Sequence, residues 1–134
     1  MIDAELLLRT LLEAGKPEGV TIRPETDLGS IDELPLVLFR WRGDGQISNG
    51  PGLWAGTLDL TVLATGIDGG FTTARAIYDL VWSWDADPAA AIVTDVGWVS
   101  SVQDVSMFDR ADGSVVDARG VEQFDGSFAL ELRA

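Results

Sequence analysis

Apolar and polar positions alternate along "LWAGTLDLTVLAT", residues 53–65. Leu58, Leu60, Val62 and Ala64 fall on one side. Thr57, Asp59, Thr61 and Thr65 fall on the other, with Leu63 the exception. A period of two predicts a strand over 56–65 with one dry face and one polar face. "LPLVLFRWR", 34–42, alternates too: Val37, Phe39 and Trp41 share one face, and Leu36, Leu38, Arg40 and Arg42 the other. If these strands pair antiparallel with their core faces together, facing residue numbers add to an odd sum. Phe39 then lies opposite Leu60, and Arg40 opposite Asp59. An ion pair there contributes well under about 1 kcal/mol and is more useful as a mark of register.

The period changes to that of a helix in two places. Over 3–14, Ala4, Leu7, Leu8, Leu11 and Leu12 form one stripe; Asp3 is placed to cap the start, and Gly15 with Pro17 to end it. Over 71–84, Ala74, Ile77, Leu80, Val81 and Trp84 form a stripe, and Phe71, Tyr78 and Trp82 a second, with Arg75 on the same line. A helix on one sheet needs a single stripe. The second is expected to meet the first helix, a loop or another subunit. Residues 16–34 read as a polar, Pro- and Gly-bearing connection in which Val20 and Ile22 make a short extended piece. "GDGQISNGPG", 43–52, is turn chemistry and is expected to be an exposed, mobile loop.

A third strand is expected over 97–108, where a change of phase suggests a bulge near Gln103–Val105. "DRADGS" follows as a turn, and the chain closes on a strand at 127–134 with Phe128, Leu130 and Leu132 facing in. The expected fold is therefore α+β in one domain, 1–134. It is mainly an antiparallel sheet of about four strands with helices packed on one face, in the order α-β-β-α-β-β.

Composition bounds the function. The chain has 134 residues, 46% of them hydrophobic, enough for a real core. No apolar run nears the roughly 20 residues that span a bilayer, so no membrane role is expected. The start, with acids ahead of its apolar part, reads as helix and not as a signal peptide. The net charge is −13, from 22 acids and 9 bases. Specific nucleic-acid binding needs a basic patch, which this balance argues against. DNA sliding past an acidic surface without sticking remains compatible with it.

Candidate chemistry is sparse. With no His and no Cys, most nucleophile–base pairs and thiolate metal sites are excluded. "GDG" at 43–45 and "DAD" at 85–87 lack the further oxygen ligands of a calcium loop. The glycines at 50, 52 and 56 precede a strand, and no Lys follows them, so they make no phosphate loop. No catalytic residue, cofactor or metal is therefore expected, and an enzyme is disfavoured. Most of the tryptophans sit on regular elements and are expected in the core. Trp54 follows a Gly/Pro loop, and reads equally well as a lid over the sheet edge or as an anchor at a protein interface.

The order of these elements, with 34–42, 56–84 and 121–133 most telling, resembles the tail terminator (tail completion) proteins of long-tailed bacteriophages, those of actinobacteriophages in particular. The likeness covers nearly the whole chain and is one of architecture and style, not of an invariant motif. "EQFDGSF" departs from it, since such proteins often carry a more basic run there. The resemblance implies a structural virion protein, assembled in the host cytoplasm and found at the head–tail junction. It implies a ring, usually of six copies, that stacks on the tail tube protein, ends tube growth and offers a docking face to a head-completion or neck protein. Genome DNA would pass through it without specific binding. A ring joins two unlike patches head to tail. The candidates are the second stripe of helix 71–84 (Phe71, Arg75, Tyr78, Trp82) and the outward sheet face (Arg40, Arg42, Asp59), with Trp54 a further interface residue. Another phage neck component, a host domain that binds a small ligand, and an acid-pair hydrolase are the competing readings.

Overall fold

The computed structural model describes residues 1–24, 33–47, 52–110 and 120–134. Among these, helix α1 (Ala4–Gly15) is followed by strands β1 (Thr21–Pro24), β2 (Leu36–Gln46) and β3 (Leu53–Thr65). Helix α2 (Ile67–Ala86) and a short 3-10 turn (Pro88–Ala91) lead to β4 (Ile92–Val93), β5 (Gly97–Arg110) and β6 (Val121–Arg133). The strands form one sheet in the order β1-β2-β3-β6-β5-β4, curled into a half-barrel.

This corrects the expected four-stranded antiparallel sheet and its α-β-β-α-β-β order. The sheet has six strands and is mixed, because β1 runs parallel to β2. Both added strands are short edge pieces. β1 is the extended piece expected at Val20 and Ile22, which the expected four strands leave out. β4 is two residues long, too short for any alternation to show. The first four residues of the expected loop 43–52 are strand, since β2 continues to Gln46; β3 begins just after it, at Leu53. Positions 48–51, most of the connection 16–34 beyond Pro24, and most of the turn after Arg110 lie outside the described residues.

The β2–β3 register is the expected one, with Phe39 facing Leu60 and Arg40 facing Asp59. Along β5 the ladder slips three times: between Val99 and Ser101, between Asp104 and Ser106, and again before Asp109. The second slip lies at the expected bulge. The last strand starts earlier than expected, at Val121, because its glycine-interrupted entry still pairs with β3 throughout.

Asp3 caps α1, its Oδ1 accepting the Leu6 N–H at 3.0 Å. Leu7, Leu8 and Leu12 of α1, Ile77, Val81 and Trp84 of α2, and Phe39, Leu60, Val62, Phe124 and Phe128 of the sheet share one buried cluster. Both helices therefore pack on the inner face of the half-barrel. They touch where Leu80 lies so close to Gly15 that a Cβ there would collide with it. Aromatic rings also press on glycine backbone in the sheet: Trp41 covers Gly56, and Phe108 covers Gly126. Leu36, Leu38, Leu63 and Val121 form a second buried cluster on the opposite face. Leu63, the exception to the alternation of β3, belongs to that cluster.

Candidate functional site

The outer face of the sheet has two parts. One end is the buried apolar cluster around Leu63; the rest is polar. At the centre of the polar part Asp59 receives three hydrogen bonds. Arg42 Nε and Nη2 donate to its two oxygens at 2.5 and 3.1 Å, and Ser127 Oγ donates at 2.7 Å. The partner that clasps Asp59 is thus Arg42, the diagonal neighbour, although Arg40 stands directly opposite. A long forked guanidinium reaches a diagonal carboxylate and engages both oxygens at once. Partial burial by itself raises the Asp59 carboxyl. The hydrogen bonds from Arg42 and Ser127 and the charges of Arg42 and Arg40 outweigh it and hold the group below its ordinary value.

Beside this group, Thr61 Oγ1 and Gln123 Nε2 donate to Asp125, at 3.0 and 3.1 Å. Asp125 also stands opposite Asp109 of β5, two like charges across one strand pair. On the inner face Arg110 grips the nearly buried Glu122, with Nε to Oε2 at 2.9 Å.

Among the described residues, the second stripe of α2 meets the bulged strand β5. Asp104 turns inward there, and its two oxygens accept hydrogen bonds from the Tyr78 hydroxyl at 2.7 Å and from Trp82 Nε1 at 2.8 Å. The Tyr78 ring also lies 5.7 Å from that of Phe128. The hydrogen bond to Asp104, with burial and the same negative charge, pushes the Tyr78 hydroxyl above its ordinary value. Phe71 packs on Phe124 with ring centroids 4.9 Å apart and the rings tilted by 54°, yet it remains 40% exposed, with the Arg75 guanidinium 5.7 Å above its ring. Met107 of β5 is 63% exposed on the other side of the same groove, a cavity of about 390 Å³ floored by Ala74 and Phe108.

Trp54 lies on β3 itself, paired with Gln46 and Leu132, and packs against the main core with one side open. Together with Trp41 and Ile2 it borders a cavity of about 560 Å³ at the start of α1. The candidate residues thus occupy three places. Arg40, Arg42 and Asp59 share the outer face; Phe71, Arg75, Tyr78 and Trp82 share the α2–β5 side; Trp54 stands apart from both. Sequence reasoning missed Asp104, Met107 and Asp125. Asp104 and Met107 follow slips of the ladder, where alternation no longer tells which way a side chain points.

No group of His, Asp or Glu able to hold a metal ion occurs among the described residues. Among the described residues, no helix is long and apolar enough to cross a membrane. No protein-family model matches the chain, and no curated protein matches it.

Proposed function

We propose that the chain is a structural ring protein that caps a bacteriophage tail tube, ends its growth and presents a docking face to head-neck proteins. The observation that carries this reading is the polar outer face of the sheet. It spans four strands and carries Asp59, Asp109, Asp125 and Glu131 as well as Arg40 and Arg42; Arg40 faces Asp59, and Asp109 faces Asp125. Such a face supplies one of the two unlike patches that a head-to-tail ring requires. The Trp41–Trp54 end supplies a second of different chemistry, apolar and aromatic. With each copy at −13, a ring repels DNA phosphates at short range, which suits passage of a genome without adhesion. Tyr78 and Trp82 have their polar atoms engaged within the chain. The α2–β5 side is therefore better read as a narrow docking groove for a partner than as a broad subunit contact.

Native mass spectrometry over a wide concentration range, alone and with purified tail tubes, tests the reading. A closed species of about six copies, free or on tube ends, is the expected result. A monomer at every concentration that also ignores tail tubes overturns it. Attachment to head portals in place of tube ends would assign the chain to another neck component.

A further inference from the structure

Among the described residues, most of the outer edge of β5 is unpaired. β5 is fourteen residues long, yet β4 covers it only at Gly97 and Trp98, and no other described strand lies on that side. The Val102 N–H is taken by Asp85 Oδ1 of α2 at 3.2 Å, so the available edge begins beyond it. Unpaired strand edges carry donors and acceptors that seek another chain. Folded proteins usually blunt such an edge with charge or a bulge; here β5 is bulged, yet Val105 and Met107 remain 60% and 63% exposed. Directly beside the edge lies the groove between α2 and β5, with Phe71, Ala74 and Phe108 in its walls. Arg75 stands exposed at its rim and forms no ion pair among the described residues. Asp79, one turn further along α2, confines an incoming acid to the Phe71 end.

We infer that this edge and groove form a strand-addition site for an extended segment of a partner protein, one that alternates apolar and acidic side chains. The segment pairs its main chain with β5 beyond Asp104, places an apolar side chain between Phe71 and Phe108, and sets a carboxylate against Arg75. Main-chain hydrogen bonds give such a site its affinity, and the side-chain pocket gives it its specificity. The charge of Arg75 is what commits the segment to acidic character. This deepens the docking-face part of the function proposed above and rests on it only for placing the partner in a virion.

The test is fluorescence anisotropy of the whole chain with a short labelled peptide of alternating valine and aspartate. Two control peptides are used: one with lysine for aspartate, and one with the same side chains but alternate backbone nitrogens methylated. Saturable binding of the first peptide, weakened about tenfold or more by either control and by Arg75→Glu, is the expected result. Equal binding of the N-methylated peptide would overturn strand addition. Equal binding of the lysine peptide, or no binding of the first, would overturn the proposed partner chemistry. Displacement of a self-associated form by the peptide would show a second copy as the natural occupant, against the proposal. The ring reading is judged separately by native mass spectrometry, so either can fail without the other.

Discussion

The Tyr78 hydroxyl donates a 2.7 Å hydrogen bond to Asp104 Oδ2, joining the middle of α2 to the bulged stretch of β5. Trp82 Nε1 donates to the other oxygen of the same carboxylate. One acid thus fixes two aromatic side chains a helical turn apart, and with them the angle at which α2 crosses the sheet.

Asp104→Ala removes both acceptors and leaves two donors facing a partly buried gap. A lower urea midpoint is expected, and a smaller drop for Asp104→Asn. Tyr78 is the one tyrosine of the chain, so its ionisation can be followed directly by tyrosinate absorbance. Because its folded pKa is raised, the folded state holds the proton longer than the unfolded state does. Stability is expected to fall as pH rises above about 10, the unfolded value, and Asp104→Asn should bring the midpoint back toward it.

At Gly56 an added Cβ would stand 2.7 Å from the Arg42 carbonyl oxygen and closer still to the Trp41 ring. Backbone cannot move aside cheaply in the middle of a sheet. Gly56→Ala is expected to cost about 2–3 kcal/mol in unfolding free energy. At Gly126 the nearest atoms belong to the Phe108 side chain, at 2.9 Å, so Gly126→Ala is expected to cost less.

The folded pKa of Asp59 lies below the unfolded value of about 3.9, so its stabilising contribution is present above that pH. It is lost as pH falls through the lower, folded value. Asp59→Asn should flatten the loss of stability below about pH 4 and have its largest destabilising effect at neutral pH. Its measure is the urea midpoint at a series of pH values.

Asp109 and Asp125 face one another across β5 and β6. Asp109→Lys turns a repulsion into an attraction and is expected to stabilise the chain by about 0.5–1 kcal/mol. If the acidic outer face contacts a neighbour or lines the channel, the same change should impair ring assembly or attachment to tail tubes. A more stable chain that assembles less well would separate the demands of folding from those of function.

The residue pattern alone settles the elements with long, one-sided alternation. Strand β3, the dry faces of β2 and β6, the cap of α1 and the pairing of Phe39 with Leu60 are all legible, because a one-residue slip would carry a whole apolar set into water. The bulge near Val105 is legible as a change of phase. The edge strands are less so. β1 shows only as an extended piece at Val20 and Ile22, with no sign that it joins the sheet, and β4 does not show at all; both are short, and pairing with neighbouring backbone recruits them. Asp59 shows the same division. Alternation puts Asp59 on the outer face. Only the curled sheet decides that Arg42 and not Arg40 clasps it, because the reach of a guanidinium across a strand pair depends on local twist. Likewise the sequence shows two stripes on α2, but the tertiary structure decides that Asp104 takes up Tyr78 and Trp82. Slips in the ladder set the direction of a β5 side chain, and a slip is a property of two strands together.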